Sequence, residues 1–300
     1  LAALSVYSSP LCFLHDPKPK RGFAPLRLRA VEEALRKIDG LAWRDGPKAS
    51  RDYLELLHTP EYLDLFLDPV PSGKDKKYDA ETYAMSATSD AAMAAAGLVW
   101  QATQDVAQGR TRRAFCLASP GGHHAEADLA NGFCFLAHAA LAAVAAQKFL
   151  NKPKVAVLDF DAHHGNGTQS FFWNYEDRLY ISLHEETGLS GFADETGAWN
   201  NVMNLPLPKG SDSSVFRRAI EEKALPKIAA FAPDMLFVSA GFDMLRGDPL
   251  AHQRLEIEDY AWLGRVLSRH GPLVAVLEGG YKLDSLGPAV AAFVKGLITE

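Results

Sequence analysis

Val155-Ala156-Val157-Leu158-Asp159-Phe160-Asp161-Ala162-His163-His164-Gly165-Asn166-Gly167-Thr168 is the most informative stretch of the chain. It opens as an uninterrupted apolar run of strand length, the pattern of a parallel strand covered on both faces. The run passes straight into Asp-x-Asp-x-His. In extended chain, residues i, i+2 and i+4 project from one face, so Asp159, Asp161 and His163 are expected to converge. Two carboxylates and an imidazole on one short face require a cation, or hydrogen bonds to the neighbouring histidines, to relieve their repulsion. A solvated loop is the plainer alternative, but acids closing a buried strand favour a functional site.

Similar strand patterns recur at residues 3–7, 113–118, 154–160, 178–183, 202–205, 234–240 and 273–277. Helical patterns lie between them, at 26–38 after Pro25, 84–108, 133–149, 213–231, 256–268 and 283–298, with a short helical pair at 51–67 broken at Pro60. This alternation predicts an α/β fold with a mostly parallel central sheet and helices on both faces. The linker-like stretch 69–77 is short and reads as a surface loop at the rim of a site. A single domain over residues 1–300 is expected.

Ligands of open parallel sheets sit beyond the carboxyl ends of the strands. Three more strand ends there carry chemistry: Ser119-Pro120-Gly121-Gly122-His123-His124, Ala240-Gly241-Phe242-Asp243, and Leu277-Glu278-Gly279-Gly280-Tyr281. Each has a plainer reading, as a polar loop, a turn or cap acid, and a packing aromatic respectively. Taken together, one histidine and two aspartates leave open positions on a zinc-like ion, as in catalytic rather than structural sites. Such an ion activates water and polarises a carbonyl, adjacent histidines can move the proton, and a tyrosine hydroxyl can polarise the same carbonyl. The reaction class is metal-assisted hydrolysis, most simply of an amide. No GxSxG, HExxH, GxxxxGK[ST] or strand-borne GxGxxG motif competes.

Composition agrees. The 300 residues are 48% hydrophobic and 23% charged, with a net charge of −6, which argues against direct nucleic-acid binding. Cys12, Cys116 and Cys134 are too few for a disulfide framework, so a reducing, cytoplasmic compartment is expected, and Cys134 reads as a buried core cysteine. No apolar run is long enough for a membrane span. The opening residues 1–7 lack a basic segment and read as a strand rather than a signal peptide; since the chain starts on Leu, an initiator Met is expected upstream.

Gly-Gly-His-His-Ala, Gly-Phe-Cys-Phe, Asp-Phe-Asp-Ala-His-His-Gly-Asn-Gly-Thr, Ser-Ala-Gly-Phe-Asp and Glu-Gly-Gly-Tyr, in that order, resemble the histone deacetylase family. The likeness is to its class II members and bacterial deacetylase-like amidohydrolases, of arginase/deacetylase fold, and runs from about residue 10 to 290. It implies one Zn2+ per chain held by Asp161, His163 and Asp243. It also implies His124 as general base and acid partnered by Asn166, His123 as electrostatic support partnered by Asp159, and Tyr281 on the substrate carbonyl. Gly132 and Phe133 match a tunnel wall, with Phe192 opposite and Leu250 at the mouth. A structural K+ would use Asp159, Asp161, His163, Ser182 and Leu183. Ala137-His138 replaces the family's usual Asn pair, and no acid near Asp90 matches its substrate-backbone clamp.

The expected substrate is an acylated amine, acyl-lysine-like in preference to acetylpolyamine, because Leu250 follows Gly247-Asp248-Pro249 where some polyamine enzymes carry Glu. The rivals are a catalytically weak ligand- or partner-binding member of the fold and a binuclear ureohydrolase. No membrane partner is expected; a homo-oligomer is compatible with the sequence.

Overall fold

The structure is a computed structural model and describes residues 3–17, 24–188 and 192–299. In chain order its elements are β1 (Ser5–Tyr7), α1 (Ala24–Leu35), β2 (Ala42–Arg44), α2 (Arg51–Leu54), α3 (Pro60–Leu67), β3 (Lys76–Lys77), β4 (Tyr83–Ala84), α4 (Thr88–Ala107) and β5 (Arg113–Cys116). There follow α5 (His138–Phe149), β6 (Val155–Asp159), α6 (Asn166–Phe172), β7 (Arg178–Glu185), β8 (Val202–Leu207), α7 (Ser213–Ala219), α8 (Leu225–Phe231), β9 (Met235–Ala240), α9 (Ile257–Leu267), β10 (Leu273–Leu277) and α10 (Leu283–Ile298). The main sheet has eight strands in the order β2-β1-β5-β10-β9-β6-β7-β8. Every neighbouring pair in it is parallel.

Strands β10, β9 and β6 are buried at every position, which explains their continuous apolar sequences. Parallel pairing aligns all carboxyl ends on one edge. The loops after four adjacent strands, β5, β10, β9 and β6, therefore meet there.

Some elements differ from expectation. Edge strand β2 is three half-buried residues, too short to leave a pattern. Helix α6 lies in the Gly- and Asn-rich tail of the Asp-x-Asp-x-His stretch. The helix expected over 213–231 is interrupted by a π-helical turn, Ile220–Ala224. Pro226, which lacks an N–H donor, follows that turn within the first positions of α8. The helix expected from residue 133 starts only at His138. The segment before it is pinned by a second hydrophobic cluster under α2 and α3, which includes Tyr62, Phe66, Phe135 and Leu141. Tyr62 Oη donates to the Phe135 carbonyl at 2.7 Å, and the Phe66 and Phe135 rings stack at 5.2 Å.

Three histidines are buried away from the sheet edge's acids. His15 Nδ1 meets Thr88 Oγ1 at 3.0 Å, His58 Nε2 accepts from the Ala137 N–H at 3.1 Å, and His138 Nε2 meets the Pro120 carbonyl at 3.0 Å. Burial pulls each pKa down to about 4. A folded pKa below the unfolded value of about 6.5 means the unfolded chain binds more protons in that window. The resulting stability is full above about pH 6.5 and is lost as pH falls toward about 4. Urea unfolding with chelator present should give a lower midpoint at pH 5 than at pH 7.5, each histidine contributing at most about 2 kcal/mol. Equal midpoints would contradict neutral buried histidines.

Candidate active site

The chain leaves the extended conformation after Asp159, at the end of β6, and bends through residues 161–163. The expected common face of Asp159, Asp161 and His163 is therefore divided. Asp159 turns to His123, whose Nδ1 lies 3.1 Å from Asp159 Oδ2, and the same oxygen accepts from Tyr180 Oη at 3.1 Å. Asp161 and His163 meet Asp243 from the loop after β9. His163 Nδ1 lies 3.0 Å from Asp161 Oδ1 and 2.9 Å from Asp243 Oδ2.

Backbone N–H groups aim both carboxylates. Asp161 accepts from His163 at 2.9 Å and from Gly279 at 2.7 Å, and Asp243 accepts from Ala162 at 2.8 Å. The strand-end glycines make room. A Cβ at Gly241 would lie 2.3 Å from Asp161 Oδ2, and one at Gly279 would lie 2.5 Å from both Asp161 Oδ2 and Asp243 Oδ2.

One ring nitrogen thus faces two buried carboxylates. Burial works against charge on Asp161, but the His123 and His163 imidazoles hold it well below the usual carboxylate range. Burial and the Asp161 charge push Asp243 up to about 7. Burial opposes protonation of His163 as well, yet the two carboxylates raise it to about 12. A single proton cannot neutralise both acids. Ligand atoms of Asp161, His163 and Asp243 lie within 4.8 Å of one another, and two carboxylates with one imidazole fit a zinc-like ion that keeps open positions.

The tandem histidines sit against this cluster with rings 4.0 Å apart. Burial alone would lower His123, but the Asp159 and Asp161 carboxylates raise it to about 10. Burial, then the neighbouring His123 charge, lowers His124 to about 3. His124 Nδ1 lies 2.8 Å from Asn166 Oδ1, and Asn166 Nδ2 donates to Glu126 Oε1 at 2.6 Å. Glu126 accepts only, so it orients the amide with its oxygen toward His124. His124 then carries its proton on Nδ1 and leaves the Nε2 lone pair free.

Tyr281 completes the group. Burial pushes its phenol well above 10, so it remains a donor. Its backbone N–H donates to Asp248 Oδ2 at 2.7 Å, and the same carboxylate accepts from the Lys282 N–H at 3.2 Å and the Leu250 N–H at 2.9 Å. Arg27, from α1, donates to the carbonyls of Glu278 and Gly280 and lies 4.8 Å over the Tyr281 ring.

His123, His124, Asp161, His163 and Tyr281 line one cavity of about 300 Å³ together with Gly132, Phe133 and Leu250. Gly132 and Phe133 both have positive φ, 51° and 64°. The second is unusual for a bulky residue. They are held by Asp79 Oδ2 and Thr82 Oγ1, which accept their N–H groups at 3.1 and 2.9 Å. Phe192 is not on this cavity. It stacks on His164 at 4.0 Å and lines an adjoining one with Glu185 and Glu186, which shares His163 and Leu250 with the first. Ser182 and Leu183 are buried in β7, Ser182 in register with Asp159. Asp90 pairs with Lys48 at 2.7 Å; Glu81 lines the cavity, and Asp79 reaches it through the Gly132 N–H.

Arg27, Asp79, Glu126, Asp248 and Glu278 had no assigned role from sequence. Asp248 and Glu278 lay inside motifs already singled out, but their work is done on backbone groups that no residue pattern displays.

The family model for the histone deacetylase domain matches residues 21–297. Histone deacetylase 15 of Arabidopsis thaliana is 36% identical over 300 residues, which is 95% of this chain and 53% of that protein. The HD domain of HDA15 superposes with a TM-score of 0.91 at 32% identity, covering 99% of this chain and 90% of that one. An acetylpolyamine aminohydrolase from Burkholderia pseudomallei superposes with a TM-score of 0.88 at 29% identity, covering 98% of both chains. The fold and site thus define a hydrolase of the deacetylase class. The chain belongs to the histone deacetylase family.

Because Asp248 fixes the backbone at Tyr281, Asp248→Asn should leave at least one of three N–H groups without its acceptor. Turnover of an acetylated lysine peptide is expected to fall about tenfold, at a cost of roughly 1–3 kcal/mol. Metal content should not change. Unaltered turnover would remove Asp248 from the positioning of Tyr281.

Proposed function

We propose that the protein is a zinc-dependent amidohydrolase that removes acetyl or related acyl groups from an acylated amine. The observation that carries this is that Asp243 meets Asp161 and His163, which line the same cavity as His123, His124 and Tyr281. Zinc held by Asp161, His163 and Asp243 would polarise the amide carbonyl and the attacking water. His124 Nε2 takes the water's proton and delivers it to the departing amine. His123, charged and held by Asp159, supports the negative charge that develops on the reacting centre. Tyr281 donates its hydroxyl hydrogen bond to the carbonyl oxygen as it becomes an oxyanion. Asn166, neutral, keeps His124 oriented without favouring its charged form.

A structural K+ on Asp159, Asp161, His163, Ser182 and Leu183 belongs to the same reading. It is supported by the oxygen-rich pairing of Asp159 with Ser182 across β6 and β7.

The favoured substrate is an acyl-lysine or similar amide. Leu250, 43% exposed and shared by both cavities, offers apolar contact to an alkyl stem rather than charge. Acetylpolyamine is the second reading, because Glu81 at the first cavity and Glu185 and Glu186 at the adjoining one place acids near the entrance. The three free cysteines suit a reducing compartment such as the cytoplasm, and among the described residues no helix is long and apolar enough to cross a membrane.

Acetate release should be measured on an acetyl-lysine peptide and an acetylpolyamine side by side. His124→Ala is expected to lower turnover about 10²–10⁴-fold and Tyr281→Phe about 10²–10³-fold. Leu250→Glu should shift relative kcat/KM toward the polyamine. Hydroxamate binding without hydrolysis of either amide would favour the non-catalytic alternative.

A further inference from the structure

Two side chains that line the cavity, Glu278 and Cys134, have no chemical step in this proposed hydrolysis. Glu278, 2% exposed, spends one oxygen on the backbone: Oε2 accepts from the Gly122 N–H at 2.7 Å and the His123 N–H at 3.3 Å. Its Oε1 is buried with no hydrogen-bond partner. Cys134 is a free, buried thiol. The two flank Gly121, where a Cβ would lie 2.9 Å from Glu278 Oε2 and 3.5 Å from Cys134 Sγ. A role for Glu278 as acceptor for the histidine loop explains Oε2 but leaves Oε1 orphaned. That costs about 1–3 kcal/mol for a buried polar atom.

A ring nitrogen of His123, the Cys134 sulfur and a Glu278 oxygen all lie within 4.8 Å of one another. Tetrahedral zinc, with bonds of about 2.0–2.3 Å, holds its ligand atoms roughly 3.3–3.8 Å apart. Side-chain shifts of about 1 Å would close the set around an ion. Among the described residues this is one of two such clusters, and it shares no residue with Asp161, His163 and Asp243.

We propose that His123, Cys134 and Glu278 form a second, inhibitory metal site that takes a thiophilic divalent ion, Zn2+ above all. The donor set selects the ion. Imidazole and thiolate favour zinc over magnesium or calcium. On binding, the Cys134 thiol and any protonated Glu278 or His123 release their protons to solvent, and the ion gains one sulfur, one nitrogen and one oxygen bond. The Cys134 thiol must lose its proton and the three side chains must close by about 1 Å, so this site fills after the first. Occupancy takes the His123 imidazole out of its supporting role, which is why it inhibits.

Cobalt titration of metal-free protein tests this without reference to turnover. The first equivalent should enter an oxygen- and nitrogen-ligated site. The second should bring a sulfur-to-cobalt charge-transfer band in the near ultraviolet, absent in Cys134→Ser and Cys134→Ala. Glu278→Gln should weaken the second equivalent about tenfold or more. Zinc beyond one equivalent should inhibit acetate release, and each variant, referred to its own rate at one equivalent, should need about tenfold more zinc. No thiolate band at several equivalents, a band that survives loss of Cys134, or unchanged inhibition in the variants would overturn the proposal. Failure of the first equivalent to bind would instead count against the catalytic metal.

Discussion

Buried negative charge at the carboxyl edge of the sheet is the constraint on which the site depends. Asp161 and Asp243 are almost wholly removed from solvent and converge on one nitrogen of His163. The His163 imidazole supplies one positive charge there, and two carboxylates with one imidazole suit a bound cation. The surrounding structure serves that convergence. Strands β6, β9 and β10 are adjacent and parallel, so their ends deliver the two acids and a glycine to one point. Gly241 and Gly279 admit the carboxylates where any side chain would collide with them. Three backbone N–H groups fix their direction.

The same charge separates the pKa values of two adjacent, chemically identical side chains. His123 touches Asp159 and is held protonated; His124 touches a neutral amide and is held unprotonated. Titratable neighbours whose environments drive their pKa values apart mark an acid and base assignment. Asn166 matters because it is not Asp. A carboxylate there would raise His124 and erode the difference.

Much of this was legible in the sequence because it is local. The apolar runs of β6, β9 and β10 and the alternation with helices gave the fold class, and the residues just past each strand gave the candidate ligands. What was not legible arises from chain geometry and distant packing. The bend after Asp159 cannot be read from an Asp-x-Asp-x-His spacing that suits a strand equally well. Phe192 stacks on His164, a tertiary contact that no residue pattern displays. Asp248, Arg27 and Glu278 act on backbone groups more than 30 residues away in most cases, and β2 was too short to show a period.

The most direct measurement of the central claim is anomalous scattering at the zinc absorption edge from crystals grown with one equivalent of zinc. The account predicts a single peak bound by Asp161, His163 and Asp243, lost in Asp243→Asn. No peak between those residues, or two peaks sharing the aspartates as in a binuclear hydrolase, would contradict it.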